Sequence, residues 1–267
     1  MNTRTARTTA IHGATIAYDI AGPAGAAAIV LLHPAFADKH VFEFQIAAFA
    51  ERYRVVSIDL PGHGDTTTRR TGVAMKDAPD IVARVLRENG IDSAHLIGVS
   101  LGSLVAQAFA DKYPESTRSV AAVGGYSIHR PIARVIKAQR KEAFKWLLYV
   151  VFSMRKFRSY VLKVSCFTEQ GRALFERGIA RFARKSFASM AGMNKLFRRS
   201  NAPVPYPLLI VVGEHDMPLA RAAAADWHTA EPDAEYALIA GAGHCANADA
   251  PEAFNAIVYR FVSSVDH

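Results

Sequence analysis

Cysteine is almost missing from this chain: of its 267 residues only Cys166 and Cys245 carry a thiol. Two thiols at that separation build no disulfide framework and match no metal-ligand spacing, which points to a reducing, cytoplasmic setting. Long apolar runs are missing too. The N-terminal stretch MNTRTARTTAIHG has no apolar core of the kind a secretory signal needs. The longest purely apolar run near the middle, Trp146 to Phe152, falls far short of the roughly 20 residues that cross a bilayer. No repeat with a period of about 20–50 residues recurs, which excludes solenoids and propellers. Acidic residues are scarce in one place only. Residues 126–201 hold 18 Lys+Arg against 3 Asp+Glu, a balance of +15, so in a chain of net charge +8 the remainder carries −7. That stretch is expected to be a separate module.

What is present is ample apolar material, 51% of residues, with 21% charged, enough to bury one large core and too little charge for a disordered chain. The apolar residues fall into strand-length runs separated by helical patterns. Residues 9–22, with His12-Gly13 as a turn, read as a β-hairpin. AAAIVLLH (26–33), RVVSIDL (54–60), HLIGV (95–99), SVAAVGG (119–125), PLLIVVG (207–213) and AEYALIAG (234–241) read as strands. Residues 42–53, 77–89, 101–112 and 251–262 have apolar residues at helical spacing. Strands apolar on both faces and alternating with helices predict a mostly parallel β-sheet covered on both sides, an α/β fold. The rhythm breaks from about 126 to 201. There Ile132, Val135, Ile136, Phe144, Leu147, Leu148 and Val151 suit one face of a helix, with Arg134, Lys137, Lys141 and Lys145 on the other. A second helix is expected over 172–187, with Phe175, Ile179 and Phe182 opposite Arg177, Arg181 and Arg184.

Gly98-Val99-Ser100-Leu101-Gly102 satisfies G-x-S-x-G between a strand and a helix, the context in which a serine is lifted on a sharp turn as a nucleophile. A serine hydroxyl needs a base to take its proton, and the base needs an acid to orient it. His244 is the one histidine on the loop after the last strand. Asp216 follows PLLIVVG and is the expected acid, with Glu214 as the alternative. The order Ser, Asp, His is the one expected of such a sheet. Negative charge developing on a substrate oxygen needs two N–H donors. Leu101, at the start of its helix, supplies one. The loop after AAAIVLLH supplies the other, and because Pro34 has no N–H, Ala35 is the candidate and Phe36 the reserve, with Phe36 also expected to touch substrate. Cys245 reads as a packing residue.

Taken in order, LLHPAFAD, IDLPGHG, GVSLGS, VVGEHD and GAGH resemble the α/β-hydrolase superfamily over about residues 10–125 and 203–265. The resemblance implies a core of residues 1–125 and 202–267, a helical cap over 126–201, a Ser100–Asp216–His244 triad, acyl transfer to water, and no cofactor and no metal. His33 and His63 resemble residues that shape the loops around the site. The chain departs from the pattern at Pro34, where glycine usually follows the histidine, and at Ser103, where a third glycine often stands. An aspartate nucleophile, as in epoxide hydrolases and haloalkane dehalogenases, is disfavoured by Ser100.

The expected function is hydrolysis of carboxylic esters of apolar or lipid-like acyl groups. A C–C bond hydrolase, lactonase, thioesterase or cofactor-free haloperoxidase would use much the same triad, and a non-catalytic ligand-binding receptor is the alternative of another class. The basic insertion reads in three ways: a solvated helix face, an anchor on anionic membrane, or an attractor for phosphorylated or coenzyme A substrates. No nucleic-acid module is recognisable.

Overall fold

The computed structural model describes residues 4–130, 137, 146 and 149–267. Eight strands form one sheet, β1 (Thr5–Ile11), β2 (Ala14–Ala21), β3 (Ala28–Leu32), β4 (Arg54–Ile58), β5 (Ala94–Val99), β6 (Thr117–Val123), β7 (Leu208–Gly213) and β8 (Glu235–Ile239). Their spatial order is β1-β2-β4-β3-β5-β6-β7-β8. β1 and β2 form the expected hairpin, closed by His12 and Gly13 at φ +46° and +80°, the positive pair that a type I′ turn needs. β2 lies antiparallel to β4, and every pairing from β4 through β8 is parallel.

The sheet is covered on both faces, and strand alternation assigns each residue its side. Val30, Leu32, Leu96 and Val120 point to one face, where α2 (Ala78–Glu88), α3 (Leu101–Lys112) and α6 (Pro218–Ala230) pack through residues such as Ile81, Val105, Phe109 and Trp227. Ile29, Leu31, Ile97 and Val123 point to the other, against α1 (Glu43–Phe49) and α7 (Pro251–Asp266). Fully buried rings such as Phe109 and Phe254 each contribute about 1.5–3 kcal/mol by leaving water. β8 is the edge strand opposite β1, and its Tyr236 and Leu238 remain exposed.

Between β6 and β7 the insertion carries α4 (Met154–Ser165) and α5 (Glu169–Arg181), whose Phe157, Val161, Leu174, Phe175 and Ile179 are buried. The helix expected over 172–187 begins three residues earlier and stops at Arg181. Thr168 starts it by accepting the Gly171 N–H, and residues 184–190 tighten into a 3₁₀ turn. α4 has no counterpart among the expected helices, although Ser153 caps it by accepting the Lys156 N–H and Phe157, Val161 and Ser165 form its inner stripe. Of the first expected insertion helix, Ile132, Arg134, Val135, Ile136, Lys141, Phe144, Lys145, Leu147 and Leu148 lie outside the described residues.

β3 and β5 are neighbours, yet the chain leaves β3 for β4 on one side and leaves β5 for β6 on the other. The crevice beyond their carboxyl ends is therefore the topological switch point at which ligands bind in open parallel sheets. The loop His33–Phe36 and Ser100 both emerge there.

Candidate active site

Ser100 stands between β5 and α3 at φ +52°, ψ −110°, a backbone conformation that costs a non-glycine residue on the order of 1–3 kcal/mol. Its N–H is held by the Val123 carbonyl at 2.7 Å, so the strained turn is tied to the end of β6. The two motif glycines are there because strand and helix nearly touch. A Cβ on Gly98 would lie 2.2 Å from the Gly102 oxygen, and one on Gly102 would lie 2.0 Å from the Leu32 oxygen. The departure at Ser103 is matched elsewhere in the fold. Its Oγ donates to the Ser100 carbonyl oxygen at 2.6 Å, and the space it fills is opposite Gly125, where a Cβ would lie 2.0 Å from that Oγ. Gly125, in the segment after β6, thus leaves the room that the Ser103 hydroxyl fills.

His244 and Asp216 meet across two loops. The imidazole Nδ1 lies 3.0 Å from each Asp216 oxygen, and Asp216 Oδ1 also accepts the Met217 N–H at 2.6 Å. Burial alone pulls the His244 pKa down, but the Asp216 charge and hydrogen bond outweigh it, so the pKa stands above the ordinary histidine value. Gly124 makes room for the ring, since a Cβ there would come within 2.9 Å of Nδ1. Glu214, the alternative acid, is turned away and accepts the Gly241 N–H at 2.9 Å.

The loop after β3 is clamped by two buried neutral histidines. His33 donates from Nδ1 to the Pro34 oxygen at 2.7 Å and accepts the Leu60 N–H on Nε2 at 2.9 Å. His63 donates from Nδ1 to the Pro61 oxygen at 3.0 Å and accepts the Phe36 N–H on Nε2 at 3.1 Å. The Phe36 amide, the reserve candidate for an oxyanion donor, is therefore already engaged, which leaves the Ala35 amide as the candidate from this loop. Leu101 opens α3, where a first-turn N–H has no partner within the helix. Phe36 itself is held at φ +72° and packs edge-on against Trp146, Phe157 and Phe182, tying this loop to the insertion.

Burial pushes the pKa of both clamp histidines down, that of His63 to about 3. The unfolded chain binds protons on these imidazoles below about pH 6.5 while the folded chain refuses them, so stability falls as pH drops through that value toward 3. The thermal midpoint is expected to decline from pH 7 to pH 5, with a shallower slope in His63→Gln. An equal slope in that variant assigns the acid sensitivity to other groups.

Ser100, Leu101, Ala35, Phe36 and His244 share the wall of one cavity of about 390 Å³. The rest of its wall includes Leu104, Val161, Met190, Met193, Met217 and Leu219, and no Lys, Arg, Asp or Glu lines it among the described residues. Among those residues no cluster of three His, Cys, Asp or Glu side chains could hold a metal ion. Cys245, next to His244, is buried. A hydrogen bond with Cys166 and burial push its thiol well above the usual range, the behaviour of a packing residue.

Asp249 has a role that the sequence did not announce. Its carboxylate accepts the N–H groups of Phe167, Thr168 and Gly243 at 2.8–2.9 Å, stapling the start of α5 to the loop that bears His244. The Cys245 N–H adds a bond to the Ser165 oxygen at 2.8 Å. Nothing local marks such a residue, because its partners are distant in sequence.

A family model described as the alpha/beta hydrolase family matches residues 29–257. The chain belongs to the alpha/beta hydrolase family. This hydrolase is 28% identical over 246 residues to the dihydrolipoyllysine-residue acetyltransferase component of the acetoin cleaving system of Cupriavidus necator. That match takes in 88% of the chain and 63% of the relative, so the chain spans less than two thirds of that protein's length. It is 25% identical over 248 residues to the 2-(acetamidomethylene)succinate hydrolase of Mesorhizobium japonicum, covering 88% of each. Among solved structures, a carboxylesterase of Nitrososphaera gargenis superposes with a TM-score of 0.82 at 18% identity, over 98% of this chain and 99% of that one, a likeness of fold.

Proposed function

We infer that this hydrolase cleaves carboxylic esters of uncharged, apolar acyl groups through Ser100, with His244 as general base and Asp216 orienting it. The observation that carries the reading is the cavity: strained serine and aspartate-paired histidine open onto one apolar chamber. In this mechanism Ser100 Oγ attacks the acyl carbon as His244 takes its proton. The Leu101 and Ala35 N–H groups stabilise the oxyanion, His244 returns the proton to the leaving alcohol, and water then releases the acid by the reverse steps. The insertion over 126–201 acts as the cap that walls the chamber.

The succinate named in the Mesorhizobium relative's substrate carries two carboxylates, and an anion of that kind needs a cation to meet it. The described wall of this cavity offers none. A chamber of this size and polarity suits a neutral acyl chain.

A series of p-nitrophenyl esters from acetate to laurate tests the reading. kcat/KM is expected to climb by about fourfold per methylene until the chamber is full, the rate equivalent of roughly 0.8 kcal/mol each. A hemisuccinate ester is expected to be poor. Preference for that anionic ester, or no turnover anywhere in the series, overturns it. Fluorophosphonate labelling abolished by Ser100→Ala would favour the enzyme, and no labelling of the wild-type chain would favour the receptor alternative.

A further inference from the structure

The positive charge of the insertion is unevenly available. Arg177 is paired with Glu43, and Arg181 with Asp38 and Asp65, so two of the three arginines marked on the second expected helix are tied to acids of the sheet-bearing body. Arg184 differs. Its Nε donates to the Val150 oxygen at 2.8 Å and its Nη2 to the Val151 oxygen at 3.3 Å, which places its undiminished charge at a chain corner. That corner bears Phe152 at 79% exposure, the most exposed large apolar side chain among the described residues, beside Val151 at 58%. Exposed Arg155 and Lys156 follow it at the start of α4, and exposed Lys185 follows Arg184. None of these three has an acidic partner among the described residues.

A bare aromatic flanked by four cations fits an anionic bilayer. The ring enters the boundary between headgroups and acyl chains while the cations meet lipid phosphates. The corner also adjoins the chamber: Trp146 lines the cavity, and the Tyr149 ring packs at 5.4 Å on Tyr160, another lining residue. Among the described residues no helix is long and apolar enough to cross a membrane, so contact through this corner would be peripheral.

We propose that the Val151–Phe152 corner, with Arg155, Lys156, Arg184 and Lys185, docks this protein onto the surface of an anionic lipid bilayer and sets the acyl chamber beside it. The link to acyl substrates rests on the ester-hydrolase reading, whereas the docking does not.

Co-sedimentation of the full chain with phosphatidylcholine vesicles, with and without about one third phosphatidylglycerol, tests the docking. Pelleting is expected with the anionic vesicles only, and raising salt from about 0.1 M to 1 M should abolish it, because the screening length shrinks from about 10 Å to 3 Å. Removing a cation from an anionic surface costs about fivefold in partitioning, so the R155E/K156E variant should lose at least about tenfold. F152S should lose a similar factor. Charge reversal of the exposed pair Arg198 and Arg199, elsewhere in the insertion, should change it less than about threefold. Equal pelleting with neutral vesicles, no pelleting at all, or an equal loss in R198E/R199E overturns the proposal. So does a dimer on size exclusion that F152S dissolves, which would make the corner a contact between two copies. Turnover of a soluble short-chain ester at the wild-type rate by F152S shows that the variant folds. Docking without turnover of any ester would instead strike the hydrolase reading.

Discussion

Ser100→Ala is expected to lower kcat on the best ester of the series by four to six orders of magnitude, on the order of 10⁴–10⁶-fold. The size follows from the proposed division of labour. Without Oγ no acyl-enzyme forms, and the base and oxyanion donors can offer only a weak route through direct attack by water. The same position allows the backbone argument to be tested apart from the chemistry. Ser100→Ala and Ser100→Gly both lack the nucleophile, but only alanine pays for φ +52°. Ser100→Gly should therefore be the more stable of the two, by about 1–3 kcal/mol in chemical denaturation. Activity within about tenfold of wild type in Ser100→Ala would remove Ser100 from the mechanism. Equal stability of the two variants would mean that the turn is not strained.

Asp216→Asn should lower kcat/KM on the order of 10⁴-fold, because an amide can hold the imidazole in the wrong tautomer and cannot stabilise the imidazolium that forms. The pH profile separates this from mere loosening of the loop. His244 works as a base only when neutral, so activity rises with pH through its raised pKa. Asparagine removes the charge that raises it, and burial, which pulls the other way, is left unopposed. The acid limb of kcat/KM should therefore move to lower pH in the variant. Glu214→Gln should stay within a few-fold of wild type, since that carboxylate accepts the Gly241 N–H and does not reach the imidazole. A large loss in Glu214→Gln with a mild one in Asp216→Asn would exchange the two roles.

The sheet was legible because burial on both faces writes itself as continuous apolar runs, and β3 through β7 appear where those runs stand. Ser100 was legible for a related reason. The close approach of α3 to β5 and β3 forces glycine at 98 and 102, and such constraints show in a one-dimensional pattern. Asp216 could be separated from Glu214 only weakly in sequence, since both follow the same strand, and it is the fold of the β7 loop that turns one toward His244 and the other toward Gly241. Asp249 and the methionines of the cavity wall act through contacts between segments far apart in the chain, which no local period records. The arginines of the insertion illustrate the same limit. Helical spacing put Arg177, Arg181 and Arg184 on one face, but only the packed structure shows two of them tied to acids and one left at an exposed corner.

The fit of Ser103 against Gly125 also couples the two positions. While Ser103 is present, any side chain at 125 collides with its hydroxyl, and nothing else lies within 4 Å of where that Cβ would stand. Once position 103 is glycine the collision is gone and position 125 is released. The cost of a side chain at 125 is therefore expected to depend on the residue at 103, and a double-mutant cycle of Ser103→Gly with Gly125→Ala should read a coupling between them. With serine in place, an alanine at 125 must swing that hydroxyl out of its bond to the Ser100 carbonyl.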